Sequence, residues 1–180
     1  DAVLEKEGIS KIDKALFDLG MSSFELETSG RGFSFKRDEP LLMTFDSDPN
    51  YGSLTAGEIV NEWPEEDIAR VLREYGEERF AKQVARALRM RREEKKIERS
   101  GELAEIVNAS ISARFRRSDS PAKTFQALRI AVNDELDALR EGLRSAVTRL
   151  SERGRVAVIS FHSLEDRIVK HYFRELAAEG

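Results

Sequence analysis

Lys14-Ala-Leu-Phe-Asp18-Leu-Gly20-Met-Ser22-Ser23 is the stretch on which the reading of this chain turns. A short apolar run ends in an acid, and a glycine and two serines follow at once. That order predicts a buried strand that emerges at its C-terminal edge and hands polar groups to a turn. In open α/β sheets ligands bind beyond the carboxyl ends of the strands, so Asp18 stands where chemistry is expected. The arrangement recurs late in the chain, where Arg155-Val-Ala-Val-Ile-Ser160 is released into Phe161-His162-Ser163. Everything between is expected to be insertion and scaffold serving these two edges.

Upstream, Leu4-Glu-Lys-Glu-Gly8 reads as a helix end with a glycine stop, and Lys11-Ile12-Asp13 leads into the strand. A doubly wound sheet normally has several strands and helices before such a point, so a preceding part is expected. The sequence of 180 residues, 40% hydrophobic and 36% charged, suffices for one core with an appended subdomain. It has no cysteine, hence no disulfide framework and no thiolate metal site. With no stretch approaching a membrane span and no visible signal peptide, a cytoplasmic location is expected.

The net charge of −4 argues against a uniformly basic nucleic-acid binder, but the charge is polarised. Between Arg79 and Arg129 lie 14 Lys/Arg against 6 Asp/Glu, which leaves 16 against 28 for the rest. A polyanion-facing subdomain on an acidic body fits this pattern, and so do helix surfaces rich in solvated charge.

After Ser23, the segment Arg31-Gly-Phe33-Ser-Phe35-Lys-Arg-Asp38 alternates aromatics as a small exposed strand would. Phe33 and Phe35, flanked by Arg31, Lys36 and Arg37, suit base stacking and phosphate binding. Equally, the two rings suit anchoring a loop onto the core. Asp46 to Gly52 is a dense turn signal whose acids match no calcium-loop spacing, and no metal is expected.

Thr55-Ala-Gly-Glu58 predicts a capping box and a short helix to about Glu62. Pro64 opens a second helix, Glu65 to about Tyr75. A third is expected from Glu78 through the basic run near Arg99, and Ser100 is expected to cap a fourth, Glu102 to Ile111. Ser112 to Ser120, with Arg114, Phe115, Arg116 and Arg117, reads as a basic loop. One long helix is then expected from Ala122 to Leu150, with Gln126, Arg129 and Asn133 as a polar stripe near its start. The strand at 155–160 follows, and Ser163-Leu-Glu-Asp166 caps a last helix.

These residues carry a resemblance. Phe17-Asp18-Leu-Gly20-Met-Ser22-Ser23, Arg31-Gly-Phe-Ser-Phe35, Tyr75-Gly-Glu-Glu-Arg-Phe80-Ala81, Thr124-Phe-Gln-Ala-Leu-Arg-Ile130 with Val132-Asn133, and Ile159-Ser-Phe-His-Ser-Leu-Glu-Asp-Arg-Ile-Val-Lys170 resemble the RsmH (MraW) family. Those proteins are bacterial S-adenosylmethionine-dependent methyltransferases acting on N4 of a cytosine in 16S ribosomal RNA of the small ribosomal subunit. The five blocks run in family order from about Ile12 to Phe173.

The resemblance implies an α/β fold: a partial class I (Rossmann-like) methyltransferase sheet with an inserted all-helical subdomain. It places residues 1–54 and 118–180 in the methyltransferase domain and 55–117 in the insertion that recognises RNA. It also implies that the family's glycine-rich cofactor loop and ribose-binding acid precede this stretch, and that a closing strand pair follows it. By position Asp18 corresponds to the family's cofactor-contacting acid. Glu25 falls where the family commonly has a cofactor-contacting glutamine, beside Phe24 in place of a proline.

The implied chemistry asks little of acid–base groups: an amine attacks a methyl in line, and the protein aligns the two. Asp18 has two roles open to it, contacting the cofactor or accepting a hydrogen bond from the cytosine amine. Ser22 and Ser23 are candidates to hold cofactor or base edges. Phe161 and His162 are candidates to wall the base pocket, although a histidine after a strand is more often structural. Phe33, Phe35, Arg116, Arg117, Gln126, Arg129 and Asn133 are candidates for RNA contact. A competing reading is a non-catalytic RNA- or ribosome-binding module. A helical protein-interaction domain is the third, and it accounts poorly for polar clusters at both strand exits.

Overall fold

A computed structural model describes residues 2–22, 26, 28–46, 52–115 and 121–179. The fold is mixed α/β, mostly helical, with a small parallel two-stranded sheet. It divides into two compact units, Asp1–Met21 with Glu135–Gly180, and Ser22–Asp134.

The first unit contains α1 (Ala2–Lys6) and β1 (Ile12–Asp18). Its later part contributes α7 (Glu135–Arg149), β2 (Leu150–Ile159) and α8 (Ser163–Glu179). The two strands pair in parallel, from Lys14 opposite Arg155 to Asp18 opposite Ile159. β2 starts five residues earlier than the apolar run predicts and carries Gly154 within it. Between the pairs Ile12–Leu150 and Lys14–Arg155 the ladder bulges, and the Ser151 hydroxyl donates to Asp13 Oδ1 (2.7 Å) there.

The expected burial of β1 is not met. Its side chains alternate between half-buried and exposed, and Leu16 is 69% exposed while Ile159 on β2 is 47% exposed. Among the described residues only one face of the pair is packed. There Leu136, Leu139 and Leu143 of α7 form the buried stripe, and Phe17 reaches α7 so closely that a Cβ on Gly142 would sit 3.2 Å from its ring.

The long helix expected over 122–150 is two helices. Asp134 adopts the left-handed conformation (φ 48°, ψ 38°), and its N–H closes back onto the Ile130 carbonyl. A single left-handed residue ends one helix and starts another, and the border between the units falls there.

The second unit holds α2 (Ala56–Glu62), α3 (Glu65–Glu74), α4 (Ala81–Glu94), α5 (Ser100–Ser110) and α6 (Ala122–Asn133). Thr55 and Glu58 form the predicted capping box, worth about 1 kcal/mol to such a helix. Ile59, Ile68, Leu72, Val84, Leu103 and Leu128 are fully buried at the centre of this bundle. Where α3 ends, a Cβ on Gly76 would lie 2.5 Å from the Lys123 carbonyl, so only glycine admits the start of α6 this closely.

α4 is shorter than its basic run suggests. Glu77 is left-handed (φ 47°), and buried Glu78 accepts the Phe80 N–H (2.8 Å), which holds a turn ahead of the helix. At the other end Lys95 is extended and stops it. Ser100 does not cap α5 but is buried inside its first turn. Its hydroxyl donates to the Arg37 carbonyl (2.8 Å) and accepts the Glu39 N–H (3.0 Å).

Further backbone bonds tie the segment before the helices to the start of α5. The Leu41 N–H donates to the Glu98 carbonyl, the Ser100 N–H donates to the Glu39 carbonyl (both 2.9 Å), and Pro40 bridges to Arg99. Residues 31–46 and α6 pack with the helices of the second unit. Among the described residues no helix is long and apolar enough to cross a membrane, and no group of three acids or histidines is arranged to hold a metal.

Candidate functional site

Parallel pairing brings the two predicted edges together. Asp18 lies directly opposite Ile159, and the Leu19 N–H continues the ladder onto the Ile159 carbonyl (3.0 Å). Asp18 and Ser160 thus end neighbouring strands, with the Asp18 side chain exposed. Beyond them the chain turns through Gly20 (φ +94°), and a Cβ on Gly20 would lie 2.9 Å from Phe161 Cδ2. The Phe161 ring, 69% exposed, therefore shelves the turn that follows Asp18.

His162 has a local task. The start of α8 carries a capping box on His162 and Glu165, one residue before the Ser163–Asp166 pair that the sequence suggests. Glu165 Oε2 accepts the N–H groups of Phe161 (2.8 Å) and His162 (3.3 Å), and the Glu165 N–H points back at His162 Nδ1 (3.5 Å). Glu165 Oε1 also stands 3.3 Å from His162 Nε2, an ion-pair distance without hydrogen-bond alignment. Burial works to raise the Glu165 carboxyl, but the His162 side chain and the two N–H groups outweigh it and hold the carboxyl below its ordinary range. Asp166 instead pairs with Lys170 (2.7 Å).

Ser22 is exposed and begins the second unit. Ser23, Glu25, Arg116 and Arg117, like the turn residues Ser47 to Tyr51, lie outside the described residues.

Within the second unit several RNA candidates have structural work. Residues 31–38 form a loop and no strand. Phe33 is 4% exposed and stacks on Phe45 (centroids 5.4 Å apart), and Phe35 meets the edge of Phe125 (5.8 Å). Arg31 donates to the Thr44, Phe45 and Asp46 carbonyls (3.1 Å each) and so organises a loop. Gln126 donates to the Tyr75 carbonyl (3.1 Å). Asn133 accepts the Phe45 N–H and donates to the Met43 carbonyl (both 2.7 Å). Arg129 is half-buried, and its carbonyl accepts from Asn133 Nδ2 (2.9 Å). The polar stripe on α6 is thus largely a set of clamps on two loops, a role visible only once Tyr75 and Met43 are seen beside it.

Two features escaped sequence reasoning. In the first unit a cavity of about 300 Å³ opens between α7 and α8, lined among others by Arg140, Arg144, Arg167, His171, Tyr172 and Glu175. In the second unit, Arg79 and Arg114 set their guanidinium groups over the exposed ring of Phe115, at 5.6 and 4.5 Å. The basic loop signal covered Arg114 and Phe115, but nothing local linked them to Arg79, 35 positions away.

The chain is 46% identical over 177 residues to "Ribosomal RNA small subunit methyltransferase H" of Clostridium botulinum (strain Kyoto / Type A2), covering 98% of this chain and 56% of that protein. It is 51% identical over 179 residues to the protein of the same name from Heliobacterium modesticaldum, with the same coverage. The chain thus spans about half the length of these relatives. Residues 1–180 match the MraW methylase family throughout, and the chain belongs to that family.

Proposed function

We propose that this chain is part of an enzyme that transfers a methyl group from S-adenosylmethionine to N4 of a cytosine in the 16S ribosomal RNA of the small subunit. The observation that carries the reading is the edge itself, where Asp18 is exposed at the end of one parallel strand and Ser160-Phe161 ends its neighbour. Family membership and the names of the relatives support the substrate class. The finer fold reading, a class I sheet with helices on both faces, is supported by the apolar outer face at Leu16 and Ile159. Residues 55–117 are our assignment for the RNA-recognising part, and ribosomal RNA as substrate implies work in the cytoplasm.

S-adenosylmethionine, when bound, supplies a methyl carried on a sulfonium cation. The residues present fit such a molecule at one point, since Asp18 is an unburied carboxylate that suits amine or hydroxyl donors and a nearby positive charge. Two tasks for Asp18 follow, holding those donors or accepting a hydrogen bond from the cytosine amine. In the second, it would turn the nitrogen lone pair toward the methyl and take up the amine proton, the new C–N bond replacing the methyl–sulfur bond and a neutral thioether leaving. Phe161 offers an exposed face on which an extruded pyrimidine stacks. Ser22, Ser23 and Glu25 are assigned to the same site on the resemblance alone.

The test is methylation of small subunits or 16S RNA by the full-length protein, read as N4-methylcytidine by mass spectrometry of RNA digests. Methyl transfer that disappears in Asp18→Asn supports the reading. RNA binding with no methyl transfer by the unaltered protein favours the non-catalytic module instead.

A further inference from the structure

The basic run that stands out in the sequence divides into two populations. On α4, Arg89 bonds Glu65 (2.8 Å) and Glu93 (2.5 Å), and Arg91 pairs with Glu94 (3.4 Å). Arg92 donates to the Val60 and Trp63 carbonyls (3.1 and 2.7 Å). Just beyond the helix, Lys95 pairs with Glu102 (2.8 Å) and Arg99 with Asp38 (2.6 Å). Arg89, Arg92, Lys95 and Arg99 tie segments of the bundle together, and Arg91 pairs within its own helix.

Lys82 and Arg86 do not. Both are exposed, and neither makes an ion pair among the described residues. They sit one helical turn apart, about 6 Å along the axis. The face they share is opposite the buried stripe of Ala81, Val84, Ala85 and Leu88. Arg79 precedes them in sequence, exposed in the turn ahead of the helix. It covers both Phe80 and Phe115 at 5.6 Å, and Arg114 covers Phe115 at 4.5 Å. The Phe115 ring rests against Phe80 (5.6 Å) and is still 41% exposed.

We propose that Arg79, Lys82, Arg86 and Arg114, with the exposed ring of Phe115, form a single-stranded RNA-binding strip on the helical unit. This deepens the proposed function and rests on it for the identity of the RNA. The chemistry selects nucleic acid over an acidic protein surface. Cations in a row follow a phosphate backbone, and an aromatic ring flanked by guanidinium groups supplies a stacking surface for a base. The strip leads in sequence directly into Arg116 and Arg117.

The test is binding of the full-length protein to a fluorescein-labelled single-stranded oligocytidine and to 16S RNA, across a salt series and without methyl donor. Lys82→Ala with Arg86→Ala removes two outward cations that hold no part of the fold, and should flatten the log–log salt slope by about 1.4. Phe115→Ala should weaken binding roughly 5- to 150-fold. Phe115→Leu, which keeps the apolar contact with Phe80, should lose much the same, and Phe115→Trp should restore affinity. Unchanged RNA affinity and slope in these variants overturn the proposal. So does a loss confined to binding of RNA-free small-subunit proteins, which assigns the strip to a protein partner. Because binding is read without methyl transfer, failure of the strip is separable from failure of the Asp18 edge.

Discussion

The ring of Phe161 lies against Gly20 so closely that a Cβ added to the glycine would meet Phe161 Cδ2 at 2.9 Å. Gly20 also has φ +94°, a conformation that side chains disfavour. Gly20→Ala should therefore cost about 1–2 kcal/mol from backbone strain and displace the ring as well. Urea unfolding of the full-length protein measures the first effect, and methyl transfer, expected to fall, reports the second. Adding Phe161→Ala to Gly20→Ala should recover part of the stability loss, giving a non-additive double-mutant cycle.

Asp18 is exposed and no described side chain pairs with it, so Asp18→Asn should leave the unfolding midpoint within about 0.5 kcal/mol of the parent. Methyl transfer should fall roughly 10²- to 10⁴-fold if the carboxylate orients the amine and takes its proton. Near-normal turnover would remove Asp18 from the reaction.

Glu165 links stability to acid pH. Its carboxyl is held below the ordinary value of 4.5 in the folded chain, so the unfolded chain binds the proton more readily. The contribution of Glu165 is then complete above that ordinary value and lost as pH falls through the lower, folded one. Unfolding free energy followed from pH 7 to acid should drop in this window, and Glu165→Gln should flatten the drop while weakening α8 at neutral pH. An identical pH profile in the variant would show that the cap does not carry the linkage.

Asn133 clamps the 43–45 loop through an accepted and a donated bond. Asn133→Asp keeps the acceptor for the Phe45 N–H but turns a charged oxygen toward the Met43 carbonyl. Asn133→Ala removes both. Each should cost about 1–3 kcal/mol, read as a shift in denaturation midpoint.

Features settled by neighbours in sequence were legible. Thr55 and Glu58 form their capping box because both partners lie within one turn of the same helix. The box on His162 and Glu165 at the start of α8 was not legible, because it is the strand exit that turns this pair inward. The break at Asp134 was invisible because helical periodicity continues across it. Sequence left Phe33 open between stacking a base and anchoring a loop, and only the fold shows its contact with Phe45 and the bonds of Arg31 to the 44–46 carbonyls.

From the order of its residues alone, this protein is identifiable by kind: two apolar runs ending in polar clusters, a basic helical stretch between them, and blocks that match one methylase family. Tertiary structure decided which of those residues are free to act. Asp18 faces outward beside a neighbouring strand end because its partner, Ile159, comes from 141 positions away. Lys82 and Arg86 stay uncommitted because every other cation of α4 meets a carboxylate or carbonyl held nearby. Side-chain type and short-range spacing are written in the chain, whereas pairing and burial arise only when distant segments meet and compete for the same groups.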